Sequence, residues 1–266
     1  MKPPAVNFTR NVAPTIDQIG TYIPVPGMGH FAVNSFLIRS QTPVLVDAGI
    51  VTMQQPWLEA LETLIDPADL GWIYLTHVDA DHVGCLEALA RRAPKARIVT
   101  TFLGMSKLGF GRSMSPDRFF WLNPGQELDV GDRKLLALRP PCYDAPETTM
   151  VFDPVSRALF SSDYFGAIVP TPVESADQVP PSALRDGQAT WLAVDSPWIR
   201  TVQPALLEQA ARAVLELNPA SVLSSHLAPA RNMAQVLSAN VLAAPQAPAF
   251  SPPDQLALEQ MLAAMR

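Results

Sequence analysis

Two histidines and two aspartates fall within six residues in His77-Val78-Asp79-Ala80-Asp81-His82. Imidazole nitrogen suits Fe, Zn, Cu and Ni, and carboxylate oxygen suits harder ions, so the segment offers a mixed donor set for a metal. In an extended turn, alternate residues point to one side. A helix start turns the following residues toward a second point, so one such loop can feed two metals. The plainer alternative is a polar loop that caps a helix, with Asp81 at the N-cap. Four metal-competent side chains in so short a stretch argue against it.

The chain has only four histidines, and two of them are in this loop. His226 follows a short apolar run in Ser224-Ser225-His226-Leu227-Ala228-Pro229, where a strand end would meet the same face. Asp163 closes another apolar run in Leu159-Phe160-Ser161-Ser162-Asp163-Tyr164-Phe165-Gly166. A carboxylate there can bridge two cations, one per oxygen. Taken alone, Asp163 also reads as a turn former and His226 as a structural histidine.

These donors need elements to hold them. The apolar run at 73–76 predicts a short buried strand before the His77 loop, and 81–93 reads as a helix after it. Residues 33–39 and 44–47 read as a strand hairpin ending in Asp47-Ala48-Gly49. Trp57, Leu58, Leu61, Leu64 and Ile65 mark a helix over 56–65, and 98–101 reads as a strand. Short strands follow at 119–122, 127–130 and 133–138, then a hairpin of 151–152 with 158–161. The Pro-rich stretch 169–183 reads as an ordered surface loop. Helices are expected at 203–217 and 232–242, with a strand at 221–225 between them. Two halves that each mix strands and helices fit an α/β fold, a four-layer αββα sandwich. Residues 1–243 read as one domain. Residues 244–266 read as a Pro-rich linker and a final helix capped by Ser251, with Leu258, Met261, Leu262 and Met265 on one face. That helix is expected to pack on its own domain or on a partner.

The pattern His-x-Asp-x-Asp-His, preceded by Val46-Asp47-Ala48-Gly49 and followed by Asp163 and then His226, resembles the metallo-β-lactamase superfamily. Within it the chain looks closest to the diiron domain of flavodiiron proteins. Asp79 stands where hydrolases of the superfamily usually place His, and the segments around Asp163 and His226 resemble that family's. One position departs from the pattern. The family has a His where this chain has Asp144, in Pro140-Pro141-Cys142-Tyr143-Asp144, with eighteen residues between it and Asp163. Aspartate is a competent ligand but shorter than histidine; it reaches a metal only if the backbone moves in or a water intervenes. Cys142 and Tyr143 are nearby alternatives.

The resemblance implies roles. His77, Asp79 and Asp144 would hold one metal, and Asp81, His82 and His226 the other, with Asp163 between them. This oxygen-rich set favours iron, with zinc and manganese as alternatives. His30 would border the site as a hydrogen-bond donor or proton source, or be an exposed loop residue. Tyr143, Tyr164, Phe165 and Trp198 would line the pocket or pack in the core. The function implied is binding or reduction of O2 or NO at a diiron site. No Gly-rich phosphate-binding loop is present, so turnover would need a separate electron donor. The alternative is a metal-dependent hydrolase of thioesters, lactones or phosphodiesters. There a metal-bound hydroxide is the nucleophile and Asp79, Asp144 or Asp163 serves the chemistry.

Composition narrows the partners. The net charge of −6 and the absence of any Lys/Arg run speak against nucleic acid or an anionic membrane as partner, leaving a small molecule. Two distant cysteines, Cys85 and Cys142, make no disulfide framework and fit a reducing compartment. Met1-Lys2-Pro3-Pro4 lacks the apolar core of a signal peptide, so the cytoplasm is the expected location. A homodimer is a further expectation from the resemblance.

Overall fold

A computed structural model of the chain describes residues 8–111 and 114–264. The first half runs β1 (Phe8–Ala13), β2 (Ile16–Val25), β3 (Gly29–Ile38), β4 (Val44–Val46), α1 (Gln54–Glu62) and β5 (Trp72–Tyr74). It continues with α2 (Ala80–Val83), α3 (Leu86–Arg92), β6 (Arg97–Thr100), α4 (Phe102–Gly109) and β7 (Phe119–Trp121). The second half runs β8 (Glu127–Asp129), β9 (Lys134–Leu138), β10 (Met150–Asp153), β11 (Ala158–Phe160) and α5 (Pro181–Asp195). It ends with α6 (Pro204–Glu216), β12 (Ser221–Leu223), β13 (Ala230–Arg231), α7 (Ala234–Ala243) and α8 (Gln255–Ala264).

Strands β1 to β7 form one sheet in chain order, and the other sheet has the order β13-β12-β11-β10-β9-β8. In the first sheet β1 to β4 pair antiparallel, while β4 to β7 pair parallel. In the second, β11 and β12 are the parallel pair. Side chains alternate across a strand, so a doubly covered sheet needs apolar residues at successive positions. Leu37, Leu45, Ile73 and Ile98 pack with Trp57, Leu58 and Leu61 of α1 and Leu86 and Leu89 of α3. Their neighbours Phe36, Val44, Val46, Tyr74 and Val99 turn the other way, against Leu135, Val151, Phe160 and Leu223 of the second sheet. The outer face of that sheet buries Leu184 and Leu192 of α5, Leu207 of α6 and Leu237 of α7. Three cores between four layers make the αββα sandwich.

The fold corrects several sequence expectations. The helix expected over 81–93 is two pieces, α2 and α3, meeting at Gly84. A β-carbon on Gly84 would stand 2.2 Å from the Val51 backbone nitrogen, so only glycine lets this turn close on the 50–51 loop. The loop expected over 169–183 holds as far as Pro180, and its last three residues open α5, which the sequence pattern does not announce. Its buried face includes Gly187 and Gln188 as well as Leu184 and Leu192, and that mixture hides the apolar period. For α8, Asp254 rather than Ser251 does the capping, accepting from the Ala257 N–H at 3.0 Å. Leu256, Leu258, Met261 and Leu262 on α8 are exposed. Met265 and Met1–Pro4 lie outside the described residues. No helix among the described residues is long and apolar enough to cross a membrane.

Candidate metal centre

Parallel strands leave their carboxyl ends at one edge, and the loops there collect ligands. Asp47 follows β4, the His77 loop follows β5, Asp163 follows β11 and His226 follows β12. The loops are laced together by backbone hydrogen bonds. The Ala48 N–H donates to the His82 carbonyl at 2.6 Å, and Cys85 N–H to the Ala48 carbonyl at 2.8 Å. Ser225 N–H donates to the Ser162 carbonyl at 3.0 Å, joining the Asp163 and His226 turns. Across the sandwich, the buried Asn34 amide donates to the carbonyls of Ser224 and Leu227, both at 2.9 Å.

Donor atoms gather there in three overlapping groups, each within 4.8 Å: His77, Asp79 and Asp144; Asp81, His82 and His226; and His77, His82 and Asp163. Asp163 faces both halves. Its Oδ1 lies 3.1 Å from His82 Nε2 and 3.2 Å from His226 Nε2, while Oδ2 lies 3.9 Å from His77 Nε2. Asp81 reaches toward the second half, 3.8 Å from His82 Nε2 and 3.5 Å from His226 Nε2. Asp144 accepts from Thr148 Oγ1 at 3.0 Å, and its loop places it beside His77 and Asp79.

The far side of two of the three rings is fixed by an acceptor. His226 Nδ1 donates to the Ala32 carbonyl at 2.7 Å, and His82 Nδ1 to Asp47 Oδ2 at 2.9 Å. Carbonyl and carboxylate oxygens only accept, so the proton of each neutral ring sits on Nδ1 and Nε2 presents a lone pair. Those two Nε2 atoms are 3.2 Å apart. His77 Nε2 and Asp163 Oδ1 are buried without a hydrogen-bond partner. Two lone pairs and a carboxylate converging on one point repel unless cations or protons intervene. The site therefore fits metal ions.

The titration behaviour follows the same logic. Burial pushes Asp163 up, but His226, His77 and His82 outweigh it and hold the carboxyl well below its ordinary value. Burial pulls His82 down, but Asp163, Asp47 and Asp81 hold it well above its ordinary value. His226 is raised against its burial, chiefly by Asp163. Asp81 is lowered by His82 and His226 against its burial. Asp79, exposed at the edge of the site, is raised by partial burial and by Asp144 and Asp163 against the pull of His77 and His82. It borders a cleft of about 370 Å³ whose lining includes Val78, Val83, Lys107 and Leu108.

A family model described as ODP family beta lactamase matches residues 31–183. The chain belongs to this family. An uncharacterized protein of Methanocaldococcus jannaschii is 32% identical over 133 residues, 50% of this chain and 34% of that protein. The anaerobic nitric oxide reductase flavorubredoxin of Salmonella typhi is 31% identical over 135 residues, 50% of this chain and 28% of that protein. The matched stretch is thus about a third or less of either relative's length. Among solved structures, the flavodiiron protein of Giardia intestinalis superposes with a TM-score of 0.78 at 19% identity, covering 91% of this chain and 60% of that one. That likeness shows the fold, the metallo-β-lactamase-like domain of flavodiiron proteins.

The remaining sequence-derived site residues are spread more widely. His30 sits within β3 rather than on a loop, because Gly27 and the turn at 26–28 close the β2–β3 hairpin just before it. Its Nδ1 lies 3.2 Å from the Pro170 carbonyl oxygen, and it belongs to none of the three donor groups. Tyr164 and Phe165 are buried against each other in the helix-side core, their rings 3.9 Å apart. Cys142 is buried there too, its thiol raised by burial, and is in no donor group. Tyr143 pairs edge-on with Trp198 at 5.5 Å. Sequence reasoning missed Asp47 as the partner of His82, although it had marked the strand end that carries it. It also missed Trp191 and Asp195, because α5 was not anticipated. Asp195, pushed up to about 8 by burial and the negative Asp163, is a carboxyl that holds its proton near neutrality.

Proposed function

We propose that this chain holds two metal ions, iron by preference, and binds or reduces O2 or NO there with electrons from a separate donor. In this reading His77, Asp79 and Asp144 hold one ion, Asp81, His82 and His226 the other, and Asp163 touches both. The observation that carries it is the convergence of three imidazoles and four carboxylates on one edge of the sandwich. Such an oxygen-rich set suits iron or manganese better than zinc. The relatives add support, since one is named a nitric oxide reductase flavorubredoxin and a fold neighbour a flavodiiron protein.

When bound, two ferrous ions would supply the electrons and open coordination positions that a small oxidant needs. The chain's own groups set the stage for this. Asp47 and the Ala32 carbonyl keep the protons of His82 and His226 on Nδ1 and so leave Nε2 free. Phe31 and Trp191 cover the His226 ring at 5.5 and 4.4 Å and exclude water from that side. Asp79, at the open side, borders the cleft by which a small molecule would reach the ions.

The test is elemental analysis of protein purified without added metal, with an anaerobic optical spectrum before and after air. About two irons per chain and a spectrum that changes on exposure to O2 are expected. Two zincs per chain and no response to O2 would overturn the reading in favour of hydrolysis.

A further inference from the structure

α5 and the turn after it touch the candidate centre at two places. Trp191 lies over the His226 ring, with centroids 4.4 Å apart and planes 37° apart. The same indole donates from Nε1 to the Asp163 carbonyl oxygen at 3.1 Å. It therefore grips the turn that carries Asp163 and the ring of a donor on a different loop. Space for it depends on Gly166, where a β-carbon would stand 2.5 Å from Trp191 Nε1. Seven residues on, in the short helical turn Pro197–Thr201, Trp198 donates from Nε1 to the Tyr143 carbonyl oxygen at 2.8 Å. Tyr143 immediately precedes Asp144. Arg139 fastens the other side of that loop by donating to the Pro146 carbonyl at 2.8 Å and to the Thr148 carbonyl at 2.5 Å.

The short reach of aspartate makes the second grip consequential. A side chain that must be brought to its target by the backbone depends on whatever holds that backbone. Groups that orient ligands typically contribute roughly 10–100-fold in metal affinity. We propose that the α5 segment is a two-indole clamp. Trp198 positions Asp144 for the ion at His77 and Asp79, and Trp191 positions His226 for the other ion and the shared Asp163 for both. The inference rests on the dinuclear reading above and adds to it the residues that hold each half in place.

The test is titration of the metal-free full chain with Co(II) alone, followed by calorimetry and by the visible absorption of bound cobalt. Wild type should bind two Co(II). Trp198→Phe should weaken one of them roughly 10–100-fold, and in an Asp144→Ala background the same change should weaken that ion no further. Trp191→Phe should weaken chiefly the other, with a smaller loss at the first through Asp163, and in a His226→Ala background it should add little through that ring. Gly166→Ala, which displaces the indole without removing it, should reproduce Trp191→Phe. Thermal unfolding of the metal-free variants checks that the fold persists. If Trp198→Phe loses both ions alike, the tryptophans are general packing residues and the clamp is overturned. If wild type binds two ions and both Phe variants match it, the clamp alone is overturned. If wild type binds fewer than two, the dinuclear reading fails and the clamp falls with it.

Discussion

Asp163 is the residue whose two oxygens face two sets of imidazoles, Oδ1 toward His82 and His226 and Oδ2 toward His77. Replacing it by asparagine removes the anion both halves share and substitutes an amide nitrogen for one donor. Asp163→Asn should therefore lower occupancy of both ions, as read by metal content after purification. Full occupancy of both would show that Asp163 is not shared. Asp144 poses a different question, since its side chain is shorter than a histidine's and its donor oxygen lies beside those of His77 and Asp79. Asp144→His lengthens the reach by about one ring, and because imidazole is a good ligand for the same ions, the first ion should bind at least as tightly. Clear loss of one ion in a metal titration would mean the pocket is built for carboxylate only. The donors of the His77 loop were legible in the sequence because their density is unusual. Asp163 and His226 were legible from their place after apolar strands. Asp47 was not, because an aspartate in a strand-end turn is commonplace; only the fold shows its carboxylate on His82 Nδ1.

At the scale of elements, the strands from β3 to β12 were legible because both sheets are covered on both faces and their apolar runs are short, whereas β1 and β2, interrupted by Arg10, Asn11, Asp17 and Gln18, and the two-residue β13 were not. The α2–α3 break was not, since alternating apolar residues over 81–93 read as one helix. What breaks it is contact: Gly84 N–H donates to the Gly49 carbonyl at 2.8 Å, and the turn lies on the 50–51 backbone. Gly84→Ala should force these backbones apart at about 1–3 kcal/mol. Because His82 is two residues upstream, the second ion should weaken as well. Chemical denaturation and metal titration of the same variant check the two effects together. An unchanged midpoint would mean that the 50–51 loop gives way freely. α5 was missed for the opposite reason: it packs by closeness rather than by an apolar stripe. At Gly187 a β-carbon would stand 2.0 Å from the Ile168 carbonyl oxygen, so glycine there serves approach and not flexibility.

For the whole molecule, the centre is a buried knot of charge that joins the two sheets, so its protonation is coupled to folding. Without metal, His82 and His226 hold protons because burial is outweighed by Asp163 and its neighbours. A histidine whose folded pKa is raised stabilises fully below its unfolded value of about 6.5, and that stability is lost as pH rises through the folded value. Asp163 works with the opposite sign. Its depressed carboxyl stabilises above the ordinary carboxylate range and fails only as pH falls through its folded value in strong acid. Chelated protein should thus be most stable in mildly acidic solution and should soften as pH rises past about 6.5. Metal ions need the same imidazoles deprotonated at Nε2, so raising the pH removes their competitor. The gap in unfolding temperature between loaded and chelated protein should therefore widen from pH 6 to pH 8. A gap that stays constant or narrows would mean that the ions bind somewhere other than at these histidines. The two sheets meet through this knot, with β3 tied to the His226 loop by Asn34. Loss of the ions should accordingly be felt as one cooperative shift of the whole domain rather than as local fraying of a loop.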